Sequence, residues 1–173
     1  MVPEARMERT EHGVVPTGDG WWVVNTREAA WAHAPAFGDY TRFEGDVTMP
    51  QIAINLHLLQ PGKPACMYHG EEIQENFLVL SGECILIVEG EERRLGPWDF
   101  VHTPAWCDHV FVGAGDRPCA VLMIGARPDG AVSYPVDPAA ARHGACVLTA
   151  TDSPEEAYAP FPASVPIAFP GGL

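Results

Sequence analysis

Residues 67–82 read MYHGEEIQENFLVLSG, so one histidine (His69), three glutamates (Glu71, Glu72, Glu75) and one glutamine (Gln74) immediately precede an apolar strand. Carboxylates crowded in this way rise in pKa and repel one another unless a cation or a basic partner offsets their charge. A second histidine, His109, follows the loop PAWCD and opens another apolar run. Barrel curvature that brings the strand-edge His69, the carboxylate Glu75 and the second-strand His109 together makes a 2-His-1-carboxylate set with open coordination positions. Those residue types suit a divalent ion, because neutral imidazoles are borderline donors and one carboxylate offsets part of the charge without saturating the site. Glu71 and Glu72 read first as solvated acids. Gln74 and Glu71 are the candidates to orient a ligand or shuttle a proton.

These side chains need short strands to position them, and the pattern supplies strands. From Thr48 the hydrophobic period is two: Ile52, Ile54, Leu56 and Leu58 fall on one side, and Ala53, Asn55, His57 and Leu59 on the other. Asn55 and His57 are thus polar groups that face together. Further strands are expected at residues 76–79, 84–88, 93–95, 100–103, 109–112 and 119–124, with turns at Pro61-Gly62, Ser81-Gly82, EGEE, Gly96-Pro97 and GAGDRP. A strand about every ten residues is the pattern of a sandwich or barrel. His57 and His102 either line the cavity or are packed, hydrogen-bonded strand histidines. Trp98 and Phe100 read as core, and Cys66 and Cys107 as small buried residues.

Outside this region residues 1–20 read as a loose lead-in, residues 21–24 as a short strand, and REAAW after Asn25 or Thr26 as a brief helical turn that ends at Pro35. Ser153-Pro154-Glu155-Glu156 has a cap, a first-position proline and first-turn acids, and predicts one short helix. The rest of the C-terminal segment reads as extended and proline-rich. It carries Tyr134, Val147, Tyr158, Phe161 and Phe169, which need a surface to cover. The chain therefore divides into an N-terminal extension (1–47) packed on the barrel, a β-barrel (48–127) and a C-terminal arm (128–173) that lies on the barrel or on a second subunit.

The two ligand segments resemble the paired motifs of the cupin superfamily. Gly62, His69, Glu75 and Gly82 follow the first motif, with its six-residue interval between Glu75 and Gly82, and Gly96, Pro104 and His109 follow the second. Trp106 stands where the second motif usually has glycine, and Gly113 where it has asparagine. Glu71 or Gly70 takes the place of the second histidine of H-x-H in the first motif. YHGEEIQE is similar to the corresponding stretch of the 3-hydroxyanthranilate dioxygenases, which implies iron(II) held by His69, Glu75 and His109. Those enzymes grip a carboxylated aromatic substrate with arginines, and none follows His109 closely here. The resemblance implies an all-β, cupin-type double-stranded β-helix (jelly-roll barrel) with short helical turns and an extended arm.

Composition narrows the partners. Lysine and arginine total 10 against 23 aspartates and glutamates, a net charge of −13 that disfavours nucleic acid and anionic lipid. No apolar run approaches the roughly 20 residues of a membrane span, and no signal-peptide pattern opens the chain, so a cytoplasmic location is expected. The five cysteines are odd in number and show no CxxC spacing, which fits neither a disulfide framework nor a zinc knuckle. The expected protein is a homodimeric small cupin holding one divalent metal (iron(II) first; zinc, manganese or nickel otherwise) and a small-molecule ligand. Dioxygenase-type chemistry leads; a metal-dependent isomerase or lyase and a non-catalytic binding module are the alternatives.

Overall fold

The computed structural model describes residues 1–127 and 130–171; residues 128, 129, 172 and 173, at the two ends of the expected arm, lie outside the described residues. The strands, in chain order, are β1 (Arg6–Thr10), β2 (Gly13–Thr17), β3 (Trp31–Ala34), β4 (Gly38–Thr41), β5 (Ile52–Leu59), β6 (Gly70–Glu71), β7 (Glu75–Ser81), β8 (Glu83–Val88), β9 (Glu91–Leu95), β10 (Phe100–Thr103), β11 (His109–Ala114), β12 (Cys119–Ala126) and β13 (Val132–Ser133). Helices α1 (Pro138–Arg142) and α2 (Pro154–Tyr158) and strand β14 (Val165–Ile167) complete them. A seven-stranded sheet in the order β10-β7-β12-β5-β4-β3-β14 faces a three-stranded sheet in the order β11-β8-β9. The pairing is antiparallel throughout both. This is an all-β fold of double-stranded β-helix type.

Alternation along the strands builds the core between the sheets. Phe77 and Val79 of β7, Cys84 and Leu86 of β8, Phe111 of β11, and Cys119 and Val121 of β12 point inward and form one buried cluster. Their neighbours in β11, Val110 and Val112, point the other way, against Ala139, Ala140 and Ala145 of the arm. Strand β11 is therefore buried on both faces, and the arm makes it so. The β8–β9 hairpin turns through Glu89 and Gly90, both at positive φ (50° and 77°), as a two-residue turn that suits strand twist requires. Gly82, at φ 74°, sits where a Cβ would collide with the Pro118 carbonyl oxygen and lie 2.7 Å from Cys119 Cα, which accounts for glycine there.

The structure corrects several expectations. The lead-in is a β1–β2 hairpin with Thr10 opposite Gly13, built from strands that lack an alternating apolar face and so gave no period-two signal. Residues 21–24 form no strand; Trp21 makes one isolated bridge, to Glu4. REAAW is not helical. The Asn25 side chain accepts from the Arg27 amide and its carbonyl accepts from those of Glu28 and Ala29, a turn that delivers Trp31 directly into β3. Trp98 and Phe100 are 74% and 65% exposed: Trp98 sits in the turn before β10 at φ 74°, and Phe100 is on the outward side of β10, whose inward residues are Val101 and Thr103. Ser153 caps α2 as expected, accepting from the Glu156 amide. Asp137 does the same for α1, in a stretch that had read as extended. The arm packs on its own barrel: β14 pairs with β3, and Tyr134, Val147 and Ala157 bury against Met67. Among the described residues no helix is long and apolar enough to cross a membrane.

Candidate metal centre

His69 and His109 face each other across a two-bond antiparallel bridge, with the His109 amide donating to the His69 carbonyl at 2.8 Å and the His69 amide to the His109 carbonyl at 3.2 Å. Such pairing places both imidazoles on one side, with ring centroids 5.2 Å apart. Glu75 opens β7, held between Thr103 of β10 and Gly125 of β12. One ligand atom from each of His69, Glu75 and His109 lies within 4.8 Å of the other two. The two sheets thus contribute one site, and residues 40 apart in sequence meet there.

The hydrogen bonds around the imidazoles fix what they offer. Nδ1 of His69 lies 2.8 Å from the Met67 carbonyl oxygen, and Nδ1 of His109 lies 3.0 Å from that of Cys107. A carbonyl oxygen only accepts, so each Nδ1 carries a proton and each Nε2 faces inward. His69 Nε2 lies 3.3 Å from Glu71 Oε1, and His109 Nε2 lies 3.4 Å from Glu75 Oε2. Without a metal, protons on His69 and Glu75 make these contacts favourable; once those protons leave, two inward Nε2 lone pairs and the carboxylate oxygens form a donor set for a cation. The donor set therefore fits a divalent metal. Glu71 stands in contact with it, where the resemblance had placed a missing histidine.

The titration behaviour agrees. Burial, with the neighbouring Glu71 charge, pushes the Glu75 carboxyl up to about 7. Glu71 itself is held low by its hydrogen bond to His69. Burial, with His69 alongside, lowers His109 to about 4. Burial also pulls on His69, but the Cys66 sulfur and the Glu71 carboxylate outweigh it and hold the imidazole well above its ordinary value. Around neutrality the metal-free cluster therefore retains protons on His69 and Glu75 that a metal must displace.

Raised Glu75 lowers stability as pH rises from about 4.5 to about 7, and lowered His109 raises it from about 4 to about 6.5, so the two largely offset each other there. Stability contributed by the raised His69 is complete below about 6.5 and is lost as pH climbs toward its folded value. Metal-free protein should lose stability on the alkaline side. The increase in melting temperature on saturation with zinc should grow from about pH 5.5 to about pH 7.5. Thermal melts with and without zinc across that range check it; an increase that shrank with pH would contradict the ligand set.

The loop before β11 explains one departure from the motif. Trp106 adopts φ 64°, the left-handed region where glycine is at ease, and its amide donates to the Glu71 carbonyl at 2.6 Å. A tryptophan thus holds a strained turn that anchors the backbone of a site carboxylate. Gln74 is exposed and stands outside the cluster; its carbonyl accepts from Ala126. His102 is exposed and bonds to Asn76 Oδ1 at 3.0 Å. Cys66 is half-buried, with Sγ 3.7 Å from His69 Nδ1, and all five cysteines are free thiols.

Two cavities adjoin the cluster. One of about 430 Å³ is lined by Glu71, Glu75, Arg42, Asn55, Arg127 and Tyr134, among others. A second, of about 340 Å³, shares Arg42 and Asn55 and adds His57, Cys66 and the aromatic rings of Phe37, Tyr158 and Phe161. No arginine follows His109 closely; Arg42 and Arg127 reach the cavities from just beyond β4 and β12. Neither shows a sequence signal, since only the sheet order places them at the cavity. Tyr134 lies 5.8 Å from the His69 ring, and the Tyr158 hydroxyl accepts from the Met67 amide at 3.2 Å.

Comparison with known proteins agrees with this architecture. Residues 55–125 match the family model of the cupin domain, which with the fold supports the cupin superfamily. No curated protein sequence matches the chain. Among solved structures, the polyketide cyclase RemF from Streptomyces resistomycificus is 14% identical with a TM-score of 0.50, over 74% of this chain and 78% of that one, a likeness of fold alone. A sugar phosphate isomerase of the cupin superfamily from Silicibacter pomeroyi is 26% identical with a TM-score of 0.49, over 55% of this chain. A candidate sugar phosphate isomerase from Acidithiobacillus ferrooxidans is 28% identical, with a TM-score of 0.49, over 54% of this chain. This chain spans 62% and 61% of those two proteins, respectively.

Proposed function

We propose that the protein is a mononuclear metalloenzyme acting on a small organic substrate, with one divalent ion held by His69, Glu75 and His109 and with Glu71 in contact. The observation that carries this reading is the pair of Nδ1 bonds to backbone carbonyls, which leave two Nε2 atoms turned toward carboxylates in a buried cluster. Iron(II) is the first choice of metal: in a 2-His-1-carboxylate site it supplies oxygen activation beside a bound substrate. The chain's own residues provide the rest. Tyr134 and Phe77 wall the imidazoles from water. The similarity of YHGEEIQE to the 3-hydroxyanthranilate dioxygenases supports the ligand assignment and goes no further.

A second reading rests on Glu71. Its carboxylate lies 3.3 Å from His69 Nε2 and lines the larger cavity, so it is placed to take a proton from a substrate carbon in an isomerisation or elimination, with the metal as Lewis acid. Oxygen decides between the two. Under the first reading iron-loaded protein consumes dioxygen in step with substrate loss and stops when oxygen is removed. Turnover that continues unchanged under anaerobic conditions with zinc or manganese would select the second.

A further inference from the structure

The 340 Å³ cavity contains a polar group that the metal centre does not use. His57 faces Tyr40 across β4 and β5, with the two rings stacked at 5.3 Å, and its Nδ1 atom is fully buried with no hydrogen-bond partner among the described residues. An orphaned buried nitrogen is destabilising, so its persistence marks an incomplete polar set. Beside it stand Asn55, two residues earlier on the same face of β5, and Arg42. The Arg42 guanidinium carbon lies 5.4 Å from the Tyr40 ring centroid, and no carboxylate among the described residues pairs with it. Arg127 lines only the larger cavity, where Glu44 and the Met49 carbonyl hold its two terminal nitrogens and its Nε has no partner among the described residues. The remaining wall is apolar and aromatic: Phe37, Tyr158 and Phe161, packed edge to face.

We propose that this cavity binds a small organic monocarboxylate, its carboxylate between Arg42, Asn55 and His57 and its apolar body against Phe37, Tyr158 and Phe161. A single guanidinium with two neutral donors matches one negative charge. A phosphate dianion would meet that same lone cation while Glu71 and Glu75 line the adjoining cavity. The imidazole stays neutral, since burial and the Arg42 charge lower it to about 4, so His57 enters as a neutral hydrogen-bond donor to the carboxylate and not as a second cation. Nδ1 is shielded from water, so the carboxylate reaches it only when a side chain of the cavity wall moves. The cavity shares Arg42 and Asn55 with the cavity of Glu71 and Glu75, so it would hold the far end of a substrate whose reacting end lies at the cluster. That last point rests on the metalloenzyme reading; the carboxylate site itself does not.

Calorimetric titration of the full chain with phenylacetate, phenylacetamide and inorganic phosphate, on zinc-loaded and chelator-treated protein, tests it. Phenylacetate should bind in both states, at least about tenfold more tightly than the amide, and phosphate should not compete. Arg42→Gln should erase the preference for the acid with an unchanged melting temperature, and His57→Phe, which keeps the stacking on Tyr40, should weaken the acid about tenfold while leaving the amide alone. Equal affinity for acid and amide, an indifferent Arg42→Gln, or no binding in either state would overturn the proposal and leave the metal assignment standing. Binding only with zinc, independent of Arg42, would mean that the acid ligates the metal, and would likewise overturn it.

Discussion

Glu75→Ala combined with His109→Ala should leave a folded chain that no longer retains a divalent metal. The three donors come from the end of a loop, the start of β7 and the start of β11, and only the folded barrel gathers them. Loss of an outer partner of a metal ligand costs about 10–100-fold in affinity, and loss of two of three ligands must exceed that by a wide margin. The fold should tolerate the change. Truncating His109, which is 3% exposed, opens a small void beside Phe77 and Phe111, while losing Glu75 removes a carboxyl that burial already disfavours. Glu72→Gln, which alters an exposed neighbour of the same charge, should retain the metal in full. Metal content and circular dichroism of the three proteins check this; full occupancy in the double variant would contradict the ligand assignment.

Removing the arm after Arg127 should have the larger effect on stability. The segment supplies the cover for Val110 and Val112, the partners of Met67, and strand β14 on the edge at β3. Exposure of that apolar surface, at about 25 cal/mol per Å², weighs heavily against a domain's total stability of about 5–15 kcal/mol. The truncated chain should therefore fail to melt cooperatively. Tyr158→Phe isolates the connection to the site. It keeps the ring and deletes the hydroxyl that accepts from the Met67 amide, at a cost of about 1 kcal/mol. Because the Met67 carbonyl orients His69, metal affinity should fall by about tenfold as well. A truncated chain that melts like the full one would show the arm to be a passive tail.

Local signals made the barrel strands legible. Strict alternation along β5, glycines at turns such as Gly82, and the Ser153-Pro154 cap are each decided by neighbouring residues. His69, Glu75 and His109 were legible through residue type and spacing. What escaped was decided at a distance. Phe100 reads like core, and its place on the outward side of β10 exposes it. The β1–β2 hairpin is held by pairing with little apolar patterning, and α1 is a single capped turn in proline-rich surroundings. Arg42, Tyr134 and Tyr158 lie outside the two motifs, and the sheet order and the course of the arm bring them to the site.

The proposed metal at His69, Glu75 and His109 is tested by elemental analysis of the full chain purified without a metal-affinity tag, followed by titration of the chelator-treated protein with iron(II) and zinc. About one ion per chain is expected on purification, or its restoration to that level on titration, with affinity rising toward neutral pH. A chain that carries no metal and takes up none with either ion at neutral pH would contradict that assignment.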